Sequence, residues 1–398
     1  MPRRQRVLAV DVGTTKAGAL VAEARQDGEI AVLGVAVTPI VGVKRGLVVE
    51  PERAAQSVRD AVNRATSMAG FEPVDVVAAV NGDHLQAAAR QVDLDLRGRA
   101  VSDADLDELA RRAERADGQA GRETLRVIRG GFQLDGLSSV GNPVGLSIQH
   151  LSMDALVVTA QTQQVRNLRR TLQMAGLTHV HWVPQGLAAS WGALSEDERQ
   201  LGVVLLDVGG GTTQVVVWRG ASPRLLSVVP VGGDLITSDL AVGLGVVAAQ
   251  AERLKVERAQ VAGAAEGLVE LKSVNGQTVK LVALDEVAAI IGARVDEWLS
   301  LVQDALKTIS WPKGPPGGVV LSGGGALLKG LDARLERAWG WPVRLGAPYG
   351  MGGLSDLVRS PGHAGVVGLA RVGLQDGLGF RRETFWTRLV QGWLRTWS

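Results

Sequence analysis

The sequence predicts an α/β fold made of two similar lobes with a ligand between them. The prediction rests on two copies of one unit. In each copy an apolar run typical of a buried strand ends in Asp, and glycine, two threonines and another apolar run follow. The shared residues are Asp11, Gly13, Thr14, Thr15 and Lys16 in the first copy, and Asp207, Gly209, Gly210, Gly211, Thr212 and Thr213 in the second. The copies lie about half of the 398-residue chain apart, which indicates a duplicated unit.

The chemistry of this unit suits a phosphate group and a magnesium ion. Glycine lets backbone N–H groups turn toward a phosphate without a Cβ in the way, threonine adds hydroxyl donors, and Asp is placed to hold a magnesium-bound water. A strand rather than a helix follows each turn, so each copy is a hairpin and not a Walker P-loop. One such hairpin alone is equally compatible with a simple tight turn; the second copy favours the phosphate interpretation.

Composition limits the possible functions. A chain of 398 residues exceeds the usual size of one hydrophobic core, so more than one domain is expected. The 43 basic and 41 acidic residues nearly balance, and we expect no nucleic-acid partner. Cysteine is absent, which excludes disulfides and thiol chemistry and fits a reducing compartment. We find neither a convincing signal peptide nor an apolar run long enough to cross a bilayer.

In the first half, apolar periodicity predicts strands at 7–12, 17–23, 30–38 and 74–80, with a helix over 50–68. Residues 81–159 differ in character, with short alternating runs around a charged helix at 103–116 and no phosphate-type turn. This segment is predicted to be an insertion. A strand at 157–160 and a helix over 165–174 are expected to return to the first pattern.

In the second half, the hairpin unit at 202–231 is followed by a predicted helix over about 234–253. A mixed segment at 256–285 contains a hairpin turn at Asn275-Gly276, and a helix is predicted over 284–309. After a Pro/Gly loop, a third strand ends in Ser322 and glycines and continues into a helix expected over 327–339. Residues 374–380 are interpreted as a glycine-containing linker to the tail.

Three glycine elements in this order resemble the actin/Hsp70/sugar-kinase superfamily, whose fold is a duplicated, ribonuclease H-like unit in two lobes. The resemblance implies ATP and Mg²⁺ as ligands, held by a first phosphate loop at Asp11 to Lys16 and a second at Asp207 to Thr213. It implies an adenosine loop formed by Gly323, Gly324, Gly325 and Ala326. Gln185 to Ser190 and His363 to Leu369 match the two helices that connect the lobes. Asp11 and Asp207 would hold magnesium through water, and Asp11 and Gln185 would be the catalytic residues, Gln185 by positioning a water.

Within this superfamily the chain is most similar to the FtsA family of bacterial actin-like cell-division proteins. The similarity is carried by Gly42 to Val48, Val80 to Leu85, Pro230 to Leu240 and Ala251 to Lys255. The family implies that Glu252 and Lys255 face ribose or adenine, although bare residues of this kind also suit a solvated helix face. The implied subdomains are 1A (1–82 and 160–200), 1C (the insertion, 83–159), 2A (201–255 and 301–373), 2B (256–300), a linker (374–384) and an amphipathic helix (385–398).

The chain departs from the family pattern at the site. The first connecting motif carries Gln185 where the family usually has an acid, and Gly186 where it has proline. Gln214 replaces the Asp that commonly follows the second phosphate loop. A glutamine orients water but is a poor general base, because its amide does not titrate. We therefore expect ATP binding with at most slow hydrolysis.

The tail has its own pattern. Its apolar residues recur on one stripe of a helix, among arginines that suit anionic headgroups and tryptophans that prefer the bilayer interface. The residues assigned to membrane contact are Phe385, Trp386, Arg388, Leu389, Val390, Trp393, Leu394, Arg395 and Trp397. A terminal helix docked on the protein's own core is the alternative; the linker and the family resemblance favour an in-plane membrane anchor.

Two weaker patterns carry no site prediction. His179 and His181 have the spacing of metal ligands, but no further His or Cys completes a site, and histidines satisfied within a strand are the preferred interpretation. The alternating charges of 103–115 suit a solvated helix face.

The resemblance implies a cytoplasmic protein, peripheral on the inner face of the cell membrane at the division site. It would form filaments, bind the C-terminal tail of the tubulin-like protein FtsZ through subdomain 2B, anchor FtsZ to the membrane and recruit later division proteins. Two alternatives stay open at this point: a type IV pilus assembly protein of the same superfamily, and a small-molecule kinase of the same fold.

Overall fold

A computed structural model of the chain describes residues 5–25, 29–71, 75–261, 266–274 and 276–375. The nine predicted membrane-contact residues, and the predicted linker from residue 376 onward, lie outside these ranges. Residues 374 and 375 belong to the last helix, and Leu374 is buried, so the linker expected from residue 374 cannot begin before residue 376.

The secondary structure alternates between strands and helices. The strands are β1 (Arg6–Val12), β2 (Lys16–Ala24), β3 (Ile30–Pro39), β4 (Val43–Lys44), β5 (Leu47–Val48), β6 (Val76–Val80), β7 (Gln86–Asp95), β8 (Arg122–Leu134), β9 (Leu137–Val140), β10 (His150–Gln161), β11 (Val180–Pro184), β12 (Val203–Val208), β13 (Thr213–Arg219), β14 (Ser222–Val229), β15 (Leu268–Lys272), β16 (Val279–Ala283), β17 (Val319–Ser322), β18 (Val343–Leu345) and β19 (Met351–Gly353). The helices are α1 (Pro51–Ala69), α2 (Asp103–Ala116), α3 (Thr162–Met174), α4 (Gln185–Ala193), α5 (Glu196–Leu201), α6 (Gly233–Leu244), α7 (Ala248–Glu257), α8 (Leu284–Leu306), α9 (Leu331–Trp339) and α10 (Ala364–Gln375).

The two large sheets repeat one topology. The first has the order β11-β6-β1-β2-β3-β19 and the second the order β14-β13-β12-β17-β18. In each sheet a three-strand antiparallel meander, β1-β2-β3 or β12-β13-β14, is extended by two parallel strands next to its first strand. The equivalent strands β1 and β12 end in the two hairpin motifs, so the duplication expected from the motifs extends to whole sheets.

The central strands are buried on both faces, which explains their continuous apolar sequence. Val203, Val204, Leu205 and Leu206 are all 0% exposed, and Val7 to Val10 of β1 are equally enclosed. α1 covers one face of the first sheet, while α4 and α10 pack on the other face, between the two sheets. The hairpin turns therefore extend from rigid strands.

The inserted segment forms its own four-stranded sheet, β7-β10-β8-β9, with α2 packed on it around Leu109, Leu151 and Met153. The prediction of a helix at 103–116 is confirmed. The expectation that 157–160 returns to the first lobe is wrong, because β10 runs unbroken to Gln161 and pairs with β7 and β8 along its length.

Two helix predictions in the second lobe need correction. The single helix expected over 234–253 is two helices, α6 and α7, bent by 113°. Gly245 ends α6 with a left-handed φ of 62°, and that conformation stops a helix. The helix expected from residue 327 begins only at Leu331, after a 3₁₀ turn at Gly324–Leu327. The predicted hairpin near Gly276 is present as β15-β16.

Among the described residues, no single helix has the length and apolarity needed to cross a membrane. Within the part of the chain that the structure describes, one bent pair, α6 and α7, meets that criterion when the two helices are taken together.

Candidate functional site

The turns of the two hairpin motifs meet at the interface of the lobes. Both turns close with the same backbone bond: Gly13 N donates to Lys16 O over 3.0 Å, and Gly209 N donates to Thr212 O over 2.9 Å. The second turn packs directly on the first. A Cβ on Gly210 would lie 2.6 Å from Thr15 Cγ2, so glycine is what permits this approach.

A polar cavity of about 80 Å³ lies between these turns. Most of the residues that the sequence assigned to phosphate and magnesium line it. Its lining comprises Asp11, Gly13, Thr14, Thr15, Lys16, Asn81, Gln185, Asp207, Gly209, Gly210, Gly211, Thr212, Gln214, Gly323, Gly324, Gly362 and Gly365.

Thr213 and Ala326, which the sequence also assigned to nucleotide contact, do not line this cavity. The Thr213 hydroxyl is fully buried, where it donates to Val231 O over 2.8 Å and accepts from Trp298 Nε1 over 2.9 Å. Ala326 is buried in the core of the second lobe. Both residues lie behind the loops that line the cavity and do not face it.

Two carboxylates line this cavity: Asp207 is buried, and Asp11 is partly exposed but has a buried Oδ1. Burial, and then the nearby charge of Asp207, raise the pKa of Asp11 to about 6, against the opposing effect of Lys16. Burial also raises the pKa of Asp207, while hydrogen bonds from Ser322 Oγ (2.8 Å) and Gln185 Nε2 (3.2 Å) act in the opposite direction. A cation between the two carboxylates would relieve both desolvation and mutual repulsion.

The oxygen atoms here fit a magnesium ion. Asp11 Oδ1 and Gln185 Oε1 are buried without a hydrogen-bond partner, and hard oxygen ligands are what Mg²⁺ prefers. Within the described ranges no three side chains of His, Cys, Asp or Glu come together, so waters would complete the coordination shell. His179 and His181 are therefore part of no such group among the described residues. His181 lies on β11, and burial lowers its pKa.

A second, larger cavity of about 260 Å³ adjoins the first and shares Thr15, Lys16, Gly209, Gly210 and Gly324 with it. Its walls are mainly apolar and come from β12, the 3₁₀ turn after β17, and helices α6 to α8. Gly325 lines it, as do Glu252 and Lys255. Lys255 Nζ donates to Gly233 O (3.0 Å), Thr237 Oγ1 (2.8 Å) and Glu252 Oε2 (2.6 Å). The helix carrying this pair therefore presents it to the cavity.

Several residues around the two cavities were missed from the sequence. Asp234 lines the larger cavity, and burial raises its pKa, opposed by the Lys255 charge. It follows Gly232 and Gly233 at the start of α6, a glycine-acid signal that could have been recognised. Arg294 and Trp298, on α8, also line this cavity, and nothing in their helical pattern marks them.

Two family models match the chain, and they separate the inserted segment from the second lobe as the structure does. The family model described as cell division protein FtsA matches residues 204–368, and the model of the SHS2 domain inserted in FtsA matches residues 82–159. The cell division protein FtsA of Pseudomonas aeruginosa is 32% identical over 94% of this chain and 91% of its own. That of Neisseria meningitidis is 32% identical (93% and 90%), and that of Escherichia coli K12 is 29% identical (98% of each).

Solved structures share the architecture at lower identity. A PilM-PilN type IV pilus biogenesis complex matches with a TM-score of 0.64 and 17% identity, covering 92% of this chain and 98% of that one. MreB5 of Spiroplasma citri bound to ADP matches with a TM-score of 0.56 and 12% identity, covering 97% and 98%. At these identities the likeness concerns the fold alone. The predicted actin-like fold with an inserted domain is confirmed.

Proposed function

This chain belongs to the FtsA family of cell division proteins, and on that premise we propose that it is an ATP-dependent assembly factor at the membrane. It binds ATP with Mg²⁺ between its two lobes, forms filaments, and holds FtsZ at the inner face of the cytoplasmic membrane, where later division proteins join it.

The observation that carries this proposal is the meeting of two phosphate-type hairpins and a glycine turn around one carboxylate pair. Thr14, Thr15 and Lys16 contact phosphates from the first lobe, and the Gly209–Gly211 turn does so from the second. Asp11 and Asp207 hold the magnesium ion through water. Bound there, the ion neutralises phosphate charge and orients the triphosphate.

The adjoining apolar cavity takes the nucleoside. Gly323, Gly324 and Gly325 pack beside the base and ribose, and Glu252 and Lys255 supply polar contacts at its edge. The two cavities share five residues, so one nucleotide extends from one into the other.

Hydrolysis at this site is slow. Gln185 positions the water, yet its amide accepts no proton from it, and Gln214 likewise supplies no carboxylate. The carboxylates that line the phosphate end, Asp11 and Asp207, are used for the metal. ATP is therefore kept bound and serves as a switch for assembly.

Partner binding follows the family. The FtsZ tail binds subdomain 2B, residues 256–300, where β15-β16 carries exposed Leu268, Val279 and Leu281 on one face. Such a surface suits an extended peptide with apolar anchors. Filaments form through subdomains 1A, 1C, 2A and 2B, and residues 385–398 lie in the membrane surface.

Titration of a fluorescent ATP analogue, followed by electron microscopy on an anionic lipid monolayer, tests the proposal. Wild-type protein should bind ATP only with Mg²⁺, form ordered filaments with ATP and retain FtsZ on the monolayer. Lys16→Ala should bind ATP at least about tenfold more weakly, because a charge contact to phosphate is lost. Wild-type protein that binds no ATP, or that binds it without ever assembling, would contradict the proposal.

Neither alternative gains support from a specific observation. The likeness to the PilM-PilN complex concerns the fold alone, whereas the 32% identity to FtsA proteins spans most of the chain. A small-molecule kinase needs a further carboxylate as base at the phosphate end. Among the described residues lining that cavity, Asp11 and Asp207 are the acids.

A further inference from the structure

The segment of the first lobe that leads into the insertion contacts the second lobe at the polar cavity. Asn81, on the segment that leads from β6 into the insertion, accepts a hydrogen bond from Gln214 Nε2 over 3.3 Å. Gln214 is the second residue of β13, immediately after the glycine turn of the second lobe, and both side chains line the polar cavity. Gln214 Oε1 is buried there without a partner. A ligand in this cavity therefore adjoins both halves of the bond.

A second contact lies at the far end of the same hairpin. Ser222 Oγ, at the start of β14, donates to Arg129 O of the insertion over 3.3 Å. Arg224 Nη1, two residues on, donates to Asp154 Oδ2 over 3.0 Å. Arg129 in turn pairs with Asp107 on α2 over 2.6 Å, which extends the connection to the outer helix of the insertion.

The β13-β14 hairpin joins these two contacts as a stiff element. The two strands are paired from Thr213↔Val229 to Arg219↔Ser222, and β13 is also paired with β12. On the insertion side, Arg122 Nη2 donates to His84 O (2.8 Å) and to Thr159 O (3.1 Å), so the two connections to the first lobe are held together. A displacement of the glycine turn would thus be transmitted as a displacement of the whole insertion.

We infer that the nucleotide sets the orientation of the inserted subdomain through the β13-β14 hairpin. The insertion belongs to the first lobe by chain order, yet it is bonded to the second lobe at Ser222 and Arg224, and the residue just before it, Asn81, is bonded to the second lobe at the polar cavity. This inference rests on the proposed nucleotide binding and adds how that site regulates a surface distant from it. Closure of the lobes around ATP moves the hairpin, and the hairpin moves the insertion.

Single-molecule fluorescence energy transfer tests the inference. The chain has no native cysteine, so Leu137→Cys on the insertion and Met68→Cys on α1 of the first lobe give two labelling positions, 76% and 50% exposed. The measurement is made at nanomolar concentration, where assembly is suppressed, without nucleotide and with a saturating non-hydrolysable ATP analogue and Mg²⁺. Transfer efficiency should differ between the two states. In the Arg224→Ala background this difference should fall by about twofold or more, because one of the two attachments is lost.

The control is Arg334→Ala, which removes a comparable exposed Arg–Asp pair (with Asp296) that does not touch the insertion. It should keep the full nucleotide-dependent difference, whereas Ser222→Ala, which removes the neighbouring bond to Arg129 O, should reduce it. Exposed ion pairs add little stability, so these arginine variants should fold. An undiminished difference in Arg224→Ala, or an equal loss in Arg334→Ala, would overturn the inference. If the parent protein shows no difference while a separate titration shows that it binds the nucleotide, the inference is wrong and the proposed function stands. If the titration shows no nucleotide binding, the inference and the proposed function are both wrong.

Discussion

At the scale of single residues, the site is organised around the amide of Gln185. Its Nε2 donates to Asp207 Oδ2 over 3.2 Å and more weakly to Asp11 Oδ2 over 3.5 Å, so it holds the two carboxylates in place. An acid at this position would instead add a third buried negative charge. Glutamine thus favours a stable pair of charged carboxylates over proton transfer.

Asp11→Asn should change how stability depends on pH. Because the folded protein holds the pKa of Asp11 near 6, above the ordinary 3.8, ionising Asp11 opposes folding. The metal-free wild type should lose about 3 kcal/mol as pH rises from about 4 to about 6, at about 1.4 kcal/mol for each pKa unit. Asp11→Asn should lack this loss and be more stable than wild type at pH 7.5. Thermal unfolding in EDTA between pH 4 and pH 8 measures both effects.

Exposed Asp356→Asn serves as the matched control and should follow the wild-type pH profile. The Asp11→Asn variant should also lose Mg²⁺-dependent ATP binding, which separates the site role from the stability effect. If Asp11→Asn instead destabilises the metal-free protein at pH 7.5, the description of Asp11 as an electrostatic cost to folding is wrong.

At the scale of elements, the cleft depends on the crossing of α4 and α10. All nine residues of α4 are buried, and the two helices touch through glycine and alanine, with Gly192 against Ala364 and Gly368 against Ala188. α4 begins at Gln185, directly after β11, and also packs against β12 and β13 of the second sheet. Small residues at the crossing bring the helix start, and with it Gln185, close to both carboxylates.

Gly368→Ala should destabilise the protein by about 3 kcal/mol, since the new Cβ would fall on the Ala188 carbonyl and lie 2.9 Å from Gly192 N. Gly292→Ala is the control. Gly292 lies inside α8 with nothing within 4 Å of the added methyl, so this change should stabilise by about 1 kcal/mol through helix propensity. Urea unfolding of both variants measures the difference. Equal effects in the two variants would show that the crossing is not tightly packed.

At the scale of the whole molecule, duplication places the two carboxylates. Asp11 and Asp207 stand at equivalent positions of two sheets with the same strand order, and the sheets pack with α4 and α10 between them. Equivalent strand ends therefore face each other across the cleft. The insertion breaks this symmetry, because it packs against β14 of the second sheet although it leaves the chain from the first.

Removal of residues 381–398 should abolish sedimentation of the protein with anionic liposomes. The proposed anchor depends on Trp and Arg at the membrane interface, where each arginine contributes about 1 kcal/mol. ATP binding should be unchanged in the truncated protein, because the cleft is built from residues before 376. Raising the salt concentration should weaken wild-type sedimentation without abolishing it, since the apolar contribution persists.

A truncated protein that still sediments with the liposomes would contradict the anchor. Replacement of Trp386 and Trp393 by Ala tests the anchor without truncation. Replacement of Trp339 and Trp341, which pack against the core of the second lobe, is the control. Only the tail pair should reduce lipid binding.

The sequence by itself determined the two-lobe fold, the insertion, the family and most of the residues that line the polar cavity. These features depend on local signals: a buried strand that ends in Asp, glycine where a turn must approach a phosphate, and apolar periodicity in α1, α2 and α3.

The tertiary structure decided what depends on distant packing. It placed Thr213 and Ala326 behind the loops, added Asp234, Arg294 and Trp298 to the larger cavity, and divided one expected helix at Gly245. It also joined Asn81 to Gln214 and Asp154 to Arg224, contacts between residues 133 and 70 positions apart in the chain. Such pairs cannot be predicted from the local sequence, because each of these side chains, taken alone, is equally compatible with exposure to solvent.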